Sequence, residues 1–260
     1  MMSRLVVHNW ASRLLLTIFF AATVAAMSWA PASAQDEKGP MDEKALTILK
    51  AMSDYIGGSE TISFRAKTFF DVVRKSGIKI KTGRASTVLL KRPKHLYIHA
   101  EGDDGSATTI WFDGSKLTLW RRDANKVMSL DFKGATDAML DHVIEEYDAQ
   151  IPLADLFYSD VKKTLGEDLL SAEYVGVRLV DGVKCHQLSF ESPGADWQIW
   201  IEADSTPVPR RFVIDFVAED NKPQYMAQMD AWSIGGEIED FNFVAAVPES
   251  VEQVEFNLKP

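Results

Sequence analysis

The chain has 260 residues, with 28 basic and 38 acidic side chains and a formal net charge of −10 at pH 7. An acidic surface repels nucleic acids and anionic headgroups, so the composition argues against a nucleic-acid partner. The single cysteine, Cys185, excludes a disulfide within the chain, and packing must therefore supply the stability. Because Cys185 lies in an apolar strand pattern, we expect a buried thiol.

The first 34 residues have the pattern of a secretory signal peptide. Arg4 and Arg13 are followed by an apolar run over residues 14–27 and then by small residues. This order predicts export and cleavage between Ala34 and Gln35. The apolar run is shorter than the roughly 20 residues that cross a bilayer, and no later segment is apolar enough to cross one. We therefore expect a periplasmic mature chain without a transmembrane segment.

The rest of the chain is predicted to form one domain. Residues 35–40 are polar and are expected to be flexible, and residues 41–260 form the domain. Residues 41–56 have apolar side chains at helical spacing, with Asp42 and Glu43 at the start and Gly57 at the end. This pattern predicts an amphipathic helix that covers an apolar surface.

From Glu60 onward, apolar and polar residues alternate with the period of a strand. Turn signals, including Asp113-Gly114 as a two-residue hairpin and Asp181-Gly182, separate the predicted strands. The strands cover residues 62–72, 78–90, 94–101, 107–112, 116–122, 126–132, 169–180, 183–191, 197–202, 208–217 and 225–234, and residues 243–256 are a candidate edge. A helical insert interrupts them at residues 135–147, 152–157 and 159–165.

These elements predict an α+β fold with a large curved antiparallel sheet of about ten or eleven strands. A sheet of this size curls, so we expect an open half-barrel closed by helices. The alternation directs one set of apolar side chains to the inside, where they either line a ligand cavity or fill an ordinary core: Phe64, Phe70, Ile80, Val88, Ile110, Phe112, Leu117, Leu119, Trp197, Ile199, Phe212, Ile214 and Phe216.

One charged residue, Arg84, interrupts this inward row. A charge inside the sheet needs a partner, and backbone carbonyl groups at the end of a covering helix would serve. A bulge near Gly83 would instead turn Arg84 outward. We include Arg84 among the candidate ligand-site residues and leave these two orientations open.

The sequence offers no catalytic or metal-binding motif. It lacks G-x-S-x-G, the P-loop, H-E-x-x-H and C-x-x-C. His95 and His99 share one face of a strand but lie roughly 13 Å apart, which is too far for one metal ion. Carboxylates are abundant, yet nothing indicates a pair suited to hydrolysis. We predict no catalytic residue, no metal and no cofactor.

The stretch from Ala85 to Val127 resembles a known group of proteins. It has a strand ending in Lys-Arg-Pro, an apolar strand leading into Asp-Gly and a short Asp-Ala-Asn turn. In these features it resembles an uncharacterised family of predicted periplasmic proteins within the superfamily of the lipoprotein carriers LolA and LolB. The resemblance implies a half-barrel whose apolar cavity receives lipoprotein acyl chains, and an inward arginine, matched to Arg84, that holds the lid. The present chain is longer than those carriers.

The predicted function is non-catalytic binding or carriage of a hydrophobic ligand, either a lipid or the acyl chains of a lipoprotein. An alternative is a domain that binds an envelope protein without a lipid, and a third is a hydrolase. The first prediction depends on space beneath the curved sheet.

Overall fold

The computed structural model describes residues 39–149, 151 and 153–257. Twelve strands form one sheet in the order β12-β6-β5-β4-β3-β2-β1-β11-β10-β9-β8-β7. Their bounds are β1 Thr61–Val73, β2 Lys79–Lys91, β3 His95–Gly102, β4 Ala107–Phe112, β5 Lys116–Arg121, β6 Lys126–Asp131, β7 Ser171–Val180, β8 Val183–Ser192, β9 Ala195–Glu202, β10 Pro209–Asp215, β11 Gln224–Ile234 and β12 Glu252–Val254.

The sheet is large, curved and open, as predicted, because β7 and β12 are its two edges. Neighbouring strands are antiparallel, apart from the pair formed by β12 and β6. The twelfth strand is the candidate edge in the tail, at residues 252–254. The hairpin of β1 and β2 is the longest, with each strand contributing 13 residues.

The first helix, α1 (Glu43–Gly57), confirms the predicted amphipathic segment. The side chain of Asp42 caps it by accepting a hydrogen bond from the backbone of Lys44 at 2.8 Å. Its apolar face, which includes Leu49, Met52 and Ile56, is buried in the main core. Gly39 also donates a backbone hydrogen bond, to Leu170 at 2.8 Å, so the described start of the chain is attached to the sheet.

The helical insert forms what we call the cover: α2 (Thr136–Tyr147), the short 3₁₀ helix Ala154–Leu156 and α3 (Val161–Gly166). Buried side chains of all three elements belong to the same core as the inner side of the sheet. A further 3₁₀ helix spans Asp240–Phe243.

The expected signal peptide and its cleavage point, Ala34 and Gln35, lie outside the described residues. Within residues 39–149, 151 and 153–257, no helix is long and apolar enough to cross a bilayer.

Candidate ligand site beneath the cover

The structure divides the fourteen candidate residues into three groups by burial. Seven belong to the main core with 0–5% of their surface accessible: Phe64, Val88, Phe112, Leu117, Trp197, Ile199 and Phe212. Three more, Ile110, Leu119 and Ile214, are half-buried against that core. All seven are packed in the core, and Ile199 and Phe212 also line a small cavity, so a ligand would have to displace the present neighbours of these side chains.

The remaining four candidates, Phe70, Ile80, Arg84 and Phe216, lie toward the far end of the long strands. Ile80 is 41% exposed, whereas Phe70, Arg84 and Phe216 are partly exposed. We call this region of the inner face the uncovered end.

The Arg84 side chain lies on the face that simple alternation predicts, and no bulge turns it to the other face. It pairs with Thr68 of β1 and shares a face of β2 with the buried Val88. Within the described part of the chain, no hydrogen bond joins the Arg84 side chain to the cover, and its role in holding the lid stays a prediction. Its charge acts on Asp104: hydrogen bonds from Ser106 are the main cause of the lowered carboxyl pKa of Asp104, and the positive charge of Arg84 adds a smaller contribution.

Arg92, which follows β2 directly, makes the contacts expected of Arg84. Its guanidinium donates to the carbonyl oxygen atoms of Tyr158 at 2.7 Å, Ser59 at 3.1 Å and Phe157 at 3.3 Å. Burial lowers the pKa of Arg92, and the charge of Asp137 opposes this effect. Since Ser59 lies just after α1 and the other two carbonyls belong to the cover, one side chain joins both helical regions to the sheet.

The end of α1 approaches the cover closely at Gly57. A Cβ atom at this position would lie 2.6 Å from the carbonyl oxygen of Ser159. Real Cβ atoms do not come this close to a backbone oxygen, so only glycine fits here without a shift. Ser159 is itself held by Asp137 of α2, whose carboxylate accepts from the Ser159 hydroxyl at 2.6 Å. The cover is therefore held together at its middle by Asp137 and Ser159, and it is joined there to α1 at Gly57 and to the sheet by Arg92.

Aromatic side chains outside the predicted set also pack where the cover meets the sheet. Trp232 stacks on Phe64 with ring centroids 4.3 Å apart, and Phe157 of the cover lies 6.4 Å from Phe64. A break in register between β1 and β11, near Ala231 with its positive φ of 51°, brings Trp232 to the inner face. Simple alternation could not reveal it, because the irregular backbone shifts the face.

A cavity lies where the cover meets strands β9 to β11. It is small, with a volume of about 10 Å³, which is room for about one water molecule, and it is partly open to solvent. The surface that faces the cavity is apolar throughout, and the lining residues are Leu153, Asp155, Leu156, Leu165, Ile199, Pro209, Phe212 and Met229. Two of the predicted site residues, Ile199 and Phe212, line this cavity.

Asp155 belongs to the lining of this cavity, although none of its polar atoms faces the space. Its Oδ1 atom is buried and has no hydrogen-bond partner in the described part of the protein, although the residue as a whole is partly accessible. Burial raises the pKa of Asp155 to about 7, and the residue's own backbone N–H opposes that shift only in part. Thr164 of α3 donates to the Asp155 carbonyl at 3.1 Å, which holds its backbone in place.

Carboxylates also meet on the outer face, where Asp196 pairs with Glu191 and Asp215 across neighbouring strands. Burial and then the charges of Glu191 and Asp215 raise the pKa of Asp196. These groups stand on the side opposite the apolar row rather than in a cleft. Within the described residues, no group of three His, Cys, Asp or Glu side chains is arranged to hold a metal ion.

Several solved structures are similar to this chain. The lipoprotein LppX from Mycobacterium tuberculosis matches 80% of this chain and 100% of its own, with 13% identity and a TM-score of 0.46. LprF from Mycobacterium bovis matches 82% and 100%, with 13% identity and a TM-score of 0.45. A LolA superfamily protein from Nitrosomonas europaea matches 77% and 97%, with 9% identity and a TM-score of 0.40.

No curated protein sequence matches the chain significantly. A family model described as a predicted periplasmic protein (DUF2092) matches residues 45–257. This match confirms the family resemblance found in the sequence, and the chain belongs to that family.

Proposed function

We propose that this protein is a periplasmic, non-catalytic binder of a hydrophobic ligand, such as a lipid or the acyl chains of a lipoprotein. The ligand would occupy the inner face of the sheet beneath the cover. The observation that carries the proposal is the apolar cavity at the joint between the cover and strands β9 to β11.

Binding requires the cover to move, since the buried side chains of the inner row already contact other parts of the protein. A ligand offers those side chains equivalent apolar contacts, but the buried side chains of the cover lose theirs, so the ligand must supply the difference. Each CH₂ group that leaves water contributes about 0.8 kcal/mol, and an acyl chain can therefore supply several kcal/mol toward displacing the cover. In the described conformation the cover is closed on the sheet.

The uncovered end provides an entrance. Ile214 of β10 pairs with Trp197 of β9 on one side and with Tyr225 of β11 on the other, and Tyr225 pairs with Phe70 of β1. These apolar and aromatic side chains continue the inner face from the cavity toward the partly exposed Phe70. A chain entering there would follow these side chains to the joint, passing the hydroxyl group of Tyr225 on the way.

The test is direct measurement of binding by the purified protein. Native mass spectrometry after mild isolation should detect copurified lipid, and an environment-sensitive apolar dye should bind and be displaced by added lipid. Arg92→Ala should speed dye uptake because it frees the cover, whereas Arg84→Ala serves as the matched control. If neither lipid nor dye binds to the wild type or to Arg92→Ala, the proposal is wrong.

A second candidate function is binding of an envelope protein at the edge strand β7. Val177 and Leu179 of this strand are 48% and 68% exposed, and a partner strand could pair with such an edge. A pull-down after delipidation tests this alternative. Partner capture that survives delipidation and is lost in Leu179→Lys would favour it over ligand binding.

A further inference from the structure

The end of the β1–β2 hairpin projects beyond the strands on either side of it. The ladder between β1 and β11 ends at Phe70, and the ladder between β2 and β3 begins at Arg84. Within the described part of the sheet, residues 71–83 therefore pair only with each other. We call residues 74–81 the hairpin tip.

Two isoleucines of the hairpin tip are exposed to solvent. Ile78 is 61% exposed and Ile80 is 41% exposed. Ile80 pairs with Val72 of β1, and the Ile78 carbonyl accepts a hydrogen bond from the backbone of Arg74 at 2.9 Å. Since alternate residues of an extended chain point to the same side, both isoleucines continue the apolar inner face of the uncovered end up to the turn. Neighbouring exposed apolar side chains with a polar rim are typical of interaction surfaces.

The hairpin tip is basic, although the chain as a whole has a net charge of −10. Its basic side chains are those of Arg74, Lys75, Lys79 and Lys81, and its sequence contains no acidic residue. All four basic residues are exposed. An anionic partner attracts such a cluster and repels the acidic remainder of the surface, so the protein approaches that partner with the tip first.

The carboxylate of Asp71, at the base of the hairpin tip, offsets only part of this charge. It is 6% exposed and lies 2.8 Å from the ammonium group of Lys81 and 3.8 Å from that of Lys79. It also accepts a hydrogen bond from the backbone of Gln224 at 2.9 Å, which attaches the hairpin to β11. One carboxylate therefore faces two lysines, and the tip keeps a positive charge.

Other acidic residues near the hairpin lie further from its turn. Asp103 accepts a hydrogen bond from the backbone of Gly83 at 2.6 Å, and Asp104 follows it in the chain. The adjoining turn at residues 216–223 adds two acidic side chains and one basic side chain. The outermost part of the hairpin therefore remains the most basic part of this end of the molecule.

We propose that the hairpin tip docks on the surface of a bilayer that contains anionic phospholipids. The basic side chains lie at the phosphate groups, and Ile78 and Ile80 insert among the acyl chains. Both features contribute, because the membrane affinity of a surface segment increases with its buried apolar area and with its attraction to anionic lipids. Each basic side chain at such a surface strengthens binding by about fivefold. This inference goes beyond the proposed function and does not depend on it.

The shape of the hairpin favours a membrane over an acidic protein as the partner. The isoleucines project from the narrow end of two strands, so a fluid apolar layer can receive them, whereas a protein would need a matching pocket. The tip is also continuous with the uncovered end, where Phe70 is partly exposed. A lipid that leaves the docked bilayer would therefore meet the inner face of the sheet directly.

Cosedimentation with vesicles tests the charged part of the tip. The protein is purified after export, and mass spectrometry verifies its first residue, so that a signal segment does not contribute. The vesicles contain phosphatidylcholine alone or an equimolar mixture with phosphatidylglycerol. A double variant with Arg74→Gln and Lys75→Gln removes two exposed charges and leaves Asp71 with both of its lysines. The matched control, with Lys162→Gln and Lys163→Gln, removes two exposed charges from α3.

Two further variants test the apolar part of the tip. Ile78→Ser removes an exposed apolar side chain, and Leu179→Ser is its matched control, because Leu179 of β7 is 68% exposed. A polarity-sensitive fluorophore attached to Ile78→Cys reports insertion directly. The native Cys185 is buried and is therefore shielded from labelling.

We expect the wild type to bind the mixed vesicles at least about tenfold more tightly than phosphatidylcholine vesicles, and added salt should reduce this preference. The double variant at Arg74 and Lys75 should bind the mixed vesicles about twentyfold more weakly. Ile78→Ser should weaken the same binding by about tenfold. Both controls should match the wild type, and the fluorophore at residue 78 should report an apolar environment.

Two results would overturn the proposal. Absent or equal binding to the two kinds of vesicle, or an equal response of a fluorophore at Leu179→Cys, would show that the tip does not dock. Polyglutamate represents an acidic protein: if it binds as tightly as the mixed vesicles and Ile78→Ser changes neither affinity, the tip recognises a protein instead. The apolar dye measures ligand binding separately, so docking without dye uptake contradicts only the proposed function.

Discussion

The two halves of the β1–β2 hairpin share one alternating pattern but differ in burial. Near its open end, Phe64 and Val88 are 2% and 3% exposed, whereas near its turn Ile80 is 41% exposed. The covered half lies against Phe157 and is linked to the cover by Arg92. Alternation therefore determines which face a side chain occupies, and a distant segment of the chain determines whether that face is buried.

The largest expected effect comes from replacing one phenylalanine in each half. Phe64→Ala should destabilise the protein by about 3–5 kcal/mol, because it removes a buried ring that stacks on Trp232 and leaves a cavity. Phe70→Ala, six residues along the same face, should cost about 1 kcal/mol, since that ring is partly exposed. Urea denaturation measures both free energies of unfolding, and equal losses would contradict the division into covered and uncovered halves.

The second-largest expected effect is a change of the free energy of unfolding with pH, caused by Asp155 in the covered region. The pKa of Asp155 is raised from 3.8 to about 7 in the folded protein. The folded state therefore binds this proton more tightly than the unfolded state. The raised pKa therefore stabilises the folded protein, and this stabilisation is complete below pH 4. It is lost as the pH rises through about 7, and the total loss is at most about 4 kcal/mol.

Asp155→Asn should remove that dependence, because an amide does not titrate. The difference in free energy of unfolding between wild type and Asp155→Asn should change in favour of the variant between pH 4.5 and 7.5. Denaturation curves at several pH values measure this difference, and Glu146→Gln provides the control on the same cover. A difference that stays constant with pH would show that burial of Asp155 is less complete than the cavity geometry indicates.

The third effect tests the link between the cover and the sheet. Arg92→Ala leaves the carbonyl groups of Ser59, Phe157 and Tyr158 without their donor and should cost about 2–3 kcal/mol. Arg92→Lys should recover part of this loss, since an ammonium group offers donors but not the fixed planar geometry. Hydrogen exchange should increase in α3 more than in β3, and a uniform increase would contradict a local role in holding the cover.

Much of the fold follows from periodicity in the sequence. The strands, α1 and α2 were predicted near their observed bounds because their apolar repeats are long. The hairpin at Asp113 differs in detail: its carboxylate accepts from the backbone of Ser115 and Lys116, so Asp113 begins a wider turn rather than forming its centre. A two-residue signal could not reveal that register.

The candidate site was less predictable, because it depends on contacts between distant segments. Alternation identified Ile199 and Phe212 as inward residues, but nothing in the sequence brings Asp155 beside them. Arg84 was selected because it interrupts an apolar row, whereas Arg92 lies after the strand and has no such signal. Only the position of the cover, which is fixed by tertiary packing, distinguishes these two arginines.

The smallest expected effect completes the comparison of the two halves. Arg84→Ala should change the free energy of unfolding by less than about 0.5 kcal/mol, because this side chain is partly exposed and makes no hydrogen bond to the cover among the described residues. It should also leave the rate of dye uptake at the wild-type value. Since Arg84 and Arg92 have the same charge and lie eight residues apart, their difference isolates the effect of contact with the cover. If Arg84→Ala instead accelerated uptake as strongly as Arg92→Ala, positive charge along β2 would control access, and the hydrogen bonds made by Arg92 would not be the cause.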